Sequence, residues 1–134
     1  MLITRASEYA ILSLILLSKS KTPLDVQTLS KELAISKSFL AKILQTLARG
    51  GILKSYKGVN GGFMLAKEPK DITMLEVMEC AETKAPAVFD CSPSLFSCPS
   101  HKANSCTIWP FLNKLQTKID TFLNHLSLDD IIEE

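Results

Sequence analysis

The chain has 134 residues, 46% of them hydrophobic, which is enough to close one compact core. The formal charge of +1 conceals a division: residues 1–70 carry eleven Lys and Arg against four Asp and Glu (+7), and residues 71–134 carry four against ten (−6). A membrane span needs roughly 18 or more apolar residues, and the longest near-apolar stretch, Tyr9 to Leu17, is interrupted by Ser13. Arg5 ahead of that stretch resembles the start of a signal peptide, but Glu8 intervenes and no small-x-small site follows, so a cytoplasmic location is expected.

Thr4 to Ser18 is expected to be a helix buried on several sides, because Ala10, Ile11, Leu14, Ile15 and Leu17 wrap most of its circumference. After a polar connection, Lys19 to Pro23, a second helix runs from about Asp25, a good cap, to Leu33. Ala34 and Ile35 form a short turn. Ser36 then caps a third helix through Arg49, with Phe39, Leu40, Ile43, Leu44 and Leu47 towards the core and Gly50-Gly51 ending it. Ile52 to Tyr56 and Phe63 to Ala66 are strand-like, and Asn60-Gly61 between them is a hairpin signal, since both residues accept positive φ at little cost. Three helices followed by a hairpin make a winged helix-turn-helix.

Pro69 to Ile72 leads into a fourth helix, with Thr73 and Glu76 as a capping box, continuing to about Glu82. From Thr107 an apolar stripe returns at helical spacing: Ile108, Phe111, Leu112, Leu115, Ile119, Phe122, Leu123 and Leu126. Pro110 is tolerated in the first turn, and Ser127 with Asp130 caps a last short helix. The stripe could pack on the first helix. So long a helix outreaches so small a domain, however, and the expectation is a two-fold dimer through Ile108, Leu112, Leu115, Ile119 and Phe122. The fold class is thus mainly α, a winged helix-turn-helix with a β-hairpin wing, a cysteine loop and a long C-terminal dimerisation helix.

The basic first half and the motif point to DNA. Ser36, Lys37, Ser38 and Lys42 lie at or near the end of the third helix that enters a major groove. Lys57 and Asn60 on the wing suit the backbone or minor groove. Taken singly, each of these residues fits an ordinary solvated surface; the motif, wing and charge together favour DNA. A dimer matches a pseudo-palindromic operator.

Cys91, Cys98 and Cys106 fall in one Ser- and Pro-rich stretch, DCSPSLFSCPSHKANSC, with little apolar surface to order it. Reduced thiols in a cytoplasmic chain favour metal or redox chemistry over a disulfide framework. Zinc sites pair ligands two to four residues apart; here six and seven residues intervene. The wider spacing suits an iron–sulphur cluster, of four-iron or two-iron kind. A mononuclear zinc and a thiol–disulfide switch stay open. His101, inside the loop, is a candidate fourth ligand, whereas Cys80 reads as a buried small hydrophobe and His125 as structural. Two regions follow: residues 1–70, a DNA-binding winged helix-turn-helix, and residues 71–134, the cluster-binding loop and dimerisation helix. No nucleophile–base–acid set and no phosphate-cradling glycine loop is present, so neither an enzyme nor a small-molecule substrate is expected.

Several stretches together, ITRASEYAILSLILL, ISKSFLAKIL, GVNGGFMLAK, ITMLEVMECAE, the three spaced cysteines and LNHLSLDDII, resemble the Rrf-two superfamily of winged-helix repressors, of the IscR and NsrR type. The resemblance covers nearly the whole chain. It implies a homodimer on promoter DNA whose affinity changes when a three-cysteine cluster is lost or modified by nitric oxide, iron limitation or oxidants. Trp109 stands where the cluster-biogenesis branch keeps a His ligand, and Ala41-Lys42 where that branch has Glu-Gln. The nitric-oxide-sensing branch takes an acidic ligand from the opposite subunit, which by resemblance makes Glu8 of the partner the fourth ligand here, with His101 as its rival. Glu8 could instead simply favour the positive end of its helix dipole. The competing readings are a cluster-free winged-helix regulator gated by a protein partner or thiol oxidation, and a redox carrier with an incidental basic face.

Overall fold

The computed structural model describes residues 3–82, 86–98 and 100–132. α1 (Arg5–Ser18) begins where Thr4 accepts a hydrogen bond from the Ser7 N–H. Ala10, Leu14 and Leu17 lie on its buried side. Two serines are buried there as well, each with a partner. Ser13 donates to the Tyr9 carbonyl at 2.7 Å, and Ser7 donates to the Glu82 carboxylate at 3.0 Å, joining the start of α1 to the end of the fourth helix.

α2 (Val26–Leu33) is capped as expected: Asp25 accepts from the Thr28 N–H at 2.7 Å. It stops at Ala34, which adopts the left-handed conformation (φ 56°) that a helix C-cap needs and that glycine supplies more cheaply. α3 (Lys37–Arg49) places Leu40, Ile43, Leu44 and Leu47 in the core. Ser36 holds the cap position but makes no capping bond, its hydroxyl lying instead 3.2 Å from that of Ser38. Phe39, expected in the core, is 41% exposed and meets Tyr9 edge to face at 5.6 Å.

The wing is β1 (Leu53–Tyr56) paired antiparallel with β2 (Gly62–Leu65), Leu53 opposite Leu65 and Tyr56 opposite Gly62. Leu24 adds a bridge on the other edge of β2, exchanging two backbone hydrogen bonds with Phe63. This contact explains Gly62, the last glycine of the wing. A Cβ on Gly62 (φ 144°) would lie 2.4 Å from the Leu24 carbonyl.

A short 3₁₀ turn, Pro69–Asp71, leads to α4 (Met74–Glu82). Thr73 accepts from the Glu76 N–H, but the Glu76 carboxylate turns to Lys67 rather than closing the capping box. α5 (Trp109–His125) runs for 17 residues, about 25 Å at the ordinary helical rise. The Ser127–Asp130 box then starts α6 (Leu128–Ile132). Residues 72–74 pair with 126–128 through Met74 N–H to Leu126 and Leu128 N–H to Ile72. One apolar core, from Ala10 to Leu128, takes residues from α1, α3, the wing, α4, α5 and α6. No described helix is long and apolar enough to cross a membrane.

Candidate functional site

Ser36, Lys37, Ser38 and Lys42 are all exposed, as are Lys57 and Asn60 on the wing. Burial of the apolar side of α3 leaves its opposite side free, and that side continues past Lys42. Ser38, Lys42, Gln45 and Arg49 stand at offsets 0, 4, 7 and 11, all exposed, so the polar face spans the length of the helix. Gln45 and Arg49 were legible by this spacing but lie beyond the N-terminal turn on which the sequence reading concentrated. A cleft between the end of α3 and β1, lined by Arg49, Lys54, Ser55 and Tyr56, adds further basic surface.

Cys91, Cys98 and Cys106 are half-buried free thiols. Among the described residues, no three His, Cys, Asp or Glu side chains converge as metal ligands within the single chain. The Cys98 thiol is held below its usual pKa by backbone N–H groups, that of Lys102 first and then that of Ser100, which favour the thiolate. Two 3₁₀ turns, Leu95–Ser97 and Ala103–Ser105, flank it. His101 is exposed in left-handed backbone (φ 55°) and donates its N–H to the Cys98 carbonyl. Glu8 is exposed in the first turn of α1. Cys80 is half-buried, donates to the Thr46 carbonyl at 3.2 Å, and has its pKa raised by burial.

α5 carries three adjacent faces where the sequence reads as one apolar stripe. Leu112 (7% exposed) and Leu123 belong to the chain's own interior. Ile108, Phe111 and Phe122 are exposed, the last at 64%, and Leu115 and Ile119 are half-buried. The third face is polar. Trp109 Nε1 donates to the Cys91 carbonyl at 2.8 Å, and Asn113 Nδ2 to the Ser92 carbonyl at 2.8 Å. Gln116, 3% exposed, accepts from the Val88 N–H and donates to the Pro86 carbonyl and to Asp120. This face carries no apolar stripe to mark it in the sequence, yet Trp109, Asn113, Gln116 and Asp120 repeat at the same helical spacing.

A family described as "Iron-dependent Transcriptional regulator" (Rrf2) matches residues 3–134. YffB of Lactococcus lactis, named as a candidate HTH-type transcriptional regulator, is 31% identical over 131 residues, 96% of this chain and 83% of YffB. The HTH-type transcriptional regulator IscR of Vibrio atlanticus is 26% identical over 141 residues, covering 100% of this chain and 76% of its own. Among solved structures, CymR, "the Global Cysteine Regulator of B. subtilis", superposes with a TM-score of 0.74 at 20% identity over 98% of this chain and 95% of CymR. IscR of T. potens gives 0.75 at 19%, over 98% and 85%. At these identities the two structures establish the winged-helix fold.

Proposed function

The chain belongs to the Rrf2 family of transcriptional regulators, and on that premise we propose that it is a homodimeric promoter-binding repressor governed by an iron–sulphur cluster on Cys91, Cys98 and Cys106. As a transcriptional regulator it is not an enzyme. The observation that supports the cluster is the placement of three unpaired thiols on one loop that runs directly into α5. The donor set suits such a group: thiolate is its usual ligand, and the Cys98 nest already favours thiolate. A bound cluster, of four-iron or two-iron kind, would supply iron reactive towards nitric oxide, oxidants and iron depletion. Residues 1–70 serve DNA and residues 71–134 serve the loop and the dimer.

DNA is met by Ser36, Lys37, Ser38 and Lys42 on α3 and by Lys57 and Asn60 on the wing, all exposed. The apolar face of α5, with exposed Ile108 and Phe122 and half-buried Leu115 and Ile119, is the surface that a second copy covers, Leu112 supporting it from inside. Glu8 of one protomer supplies the fourth ligand to the cluster of the other. Its exposure leaves it free to do so, and a ligand from the partner ties cluster state to the spacing of the two α3 helices. A second reading, a cluster-free regulator acting through thiol oxidation, draws support from the non-convergence of the cysteines within one chain.

The test is purification without oxygen. A chromophore near 400 nm is expected, lost on serine substitution of Cys91, Cys98 or Cys106 and kept in Cys80→Ser. Glu8→Ala should weaken it more than His101→Ala. Promoter binding should fall steeply with salt and weaken in Lys42→Ala, Lys57→Ala, with a salt slope shallower by about one unit per lost phosphate contact. A colourless wild-type protein whose DNA affinity follows thiol oxidation selects the second reading.

A further inference from the structure

The cysteine loop is two segments held in different ways. Residues 86–93 are tied to α5 from outside, by Gln116 to Pro86 and Val88, Trp109 to Cys91, and Asn113 to Ser92. Ser92 is fully buried, and its hydroxyl accepts from the Phe89 N–H. Among the described residues of 94–106, the backbone hydrogen bonds stay inside that segment: Ser97 to Ser94, His101 to Cys98, Ser105 to Lys102 and Cys106 to Ala103. Phe96 at its tip is 92% exposed.

We propose that Trp109, Asn113 and Gln116 are positioning residues that clamp Cys91 to α5, so that it is the fixed ligand onto which Cys98 and Cys106 close. The inference rests on the cluster reading above. Its physical basis is the burial of Gln116. A buried amide is costly unless both its ends are satisfied, and here they are satisfied by loop backbone and Asp120. The loop cannot leave α5 at residues 86–93 without breaking both of its bonds to that amide. The described residues of 94–106 make no such hydrogen bond to α5, and their rearrangement is what the separation of the three thiols requires. The clamp lies beside, not on, the exposed apolar face of α5, so the fixed ligand is carried by the same helix that would meet a second copy.

The test uses the full chain with and without cluster, comparing wild type with Trp109→Phe, which keeps an aromatic ring of smaller size and removes the Nε1 donor, Gln116→Leu, and exposed Asn124→Ala as a control. In the cluster-free protein, amide hydrogen exchange should protect Val88 and Ser92 relative to residues 94–106. Gln116→Leu should speed exchange at these two amides by about tenfold or more, while the core amides of α1 and α3 are unchanged. In the loaded protein, Trp109→Phe and Gln116→Leu should shed cluster faster than the control, with iodoacetamide labelling Cys91 ahead of Cys98 and Cys106. Exchange across 86–93 as fast as across 94–106 in wild type overturns the clamp. Lost protection with unchanged cluster lifetime, or labelling that reaches the three cysteines together, overturns its role towards the cluster. A wild-type protein that takes up no cluster while residues 86–93 are protected overturns the cluster reading and this role with it, and leaves the clamp as a structural feature of the fold.

Discussion

The winged helix and the cysteine loop sit in the same small chain and are held by opposite means. Around α1, α3 and the wing, Leu14, Leu29, Leu40, Leu44 and Leu47 are fully buried, and order follows from removing apolar surface from water. Between residues 86 and 106 the large apolar side chains Phe89, Leu95 and Phe96 are exposed, and residues 86–93 are held by a few side-chain-to-backbone hydrogen bonds along one face of α5. Apolar burial is non-directional and collective, whereas each hydrogen bond is worth little net and is lost singly. Under the proposed function, a DNA-binding part that holds its shape and a cysteine loop that rearranges would need both.

The comparison breaks most severely in the core. Leu44→Ala should cost about 2–5 kcal/mol in urea unfolding, since Leu44 is fully buried and the cavity cannot collapse between α1 and α3. The loop should lose its exchange protection only through global unfolding. Next is Gly62→Ala, which combines a left-handed φ with a Cβ driven into the Leu24 carbonyl. A loss of about 1–3 kcal/mol is expected, together with weaker promoter binding, because the wing must move away from the start of α2. Gly51→Ala, also at positive φ but with nothing within 4 Å, separates conformational strain from steric contact.

A smaller and local effect is expected in the loop. Asn113→Ala should loosen residues 91–93 by about 1 kcal/mol in local exchange while leaving the midpoint of global unfolding nearly unmoved. If that midpoint falls as far as for Leu44→Ala, the two regions are one cooperative unit and the contrast fails. Ala34→Gly should raise stability by about 0.5–1 kcal/mol, because glycine accepts the left-handed cap without a Cβ penalty. The smallest effect is pH-dependent. Hydrogen bonds from the Thr28 side chain and backbone hold the exposed Asp25 carboxyl below its usual pKa. Its contribution is therefore complete above the unfolded carboxyl's value and is lost as pH falls through the lower folded value. Asp25→Asn should flatten the acid limb of the stability curve there and leave neutral pH little changed.

Much of the fold was legible in the residues because local signals agreed with one another. Asp25 and the Ser127–Asp130 box each act over a few residues and form as the spacing implies, and the hairpin forms too, but its turn is closed by the Gly61 N–H on the Gly58 carbonyl with positive φ at Gly58 and Gly62 rather than at Asn60-Gly61. The strands fall within a residue of expectation for the same reason. Local rules failed where a distant partner competed. Glu76 abandons its capping box for Lys67, and Phe39 leaves the core for Tyr9. The stripe on α5 was read as one surface, but α4 and the loop divide it, burying Leu112 and Leu123 and leaving Phe111 and Phe122 outside.

The sequence by itself determined the helix order, the wing, the basic first half and the clustering of three thiols, since periodicity, turn chemistry and charge are properties of neighbouring residues. Only the tertiary structure decided which face of each helix stays free and what holds the loop. The reason is that burial is assigned by whatever packs from elsewhere in the chain. Gln116 becomes a buried anchor because Pro86 and Val88, some thirty residues earlier, offer it an acceptor and a donor. Gly62 is needed because Leu24, almost forty residues before it, passes within the space a side chain would fill.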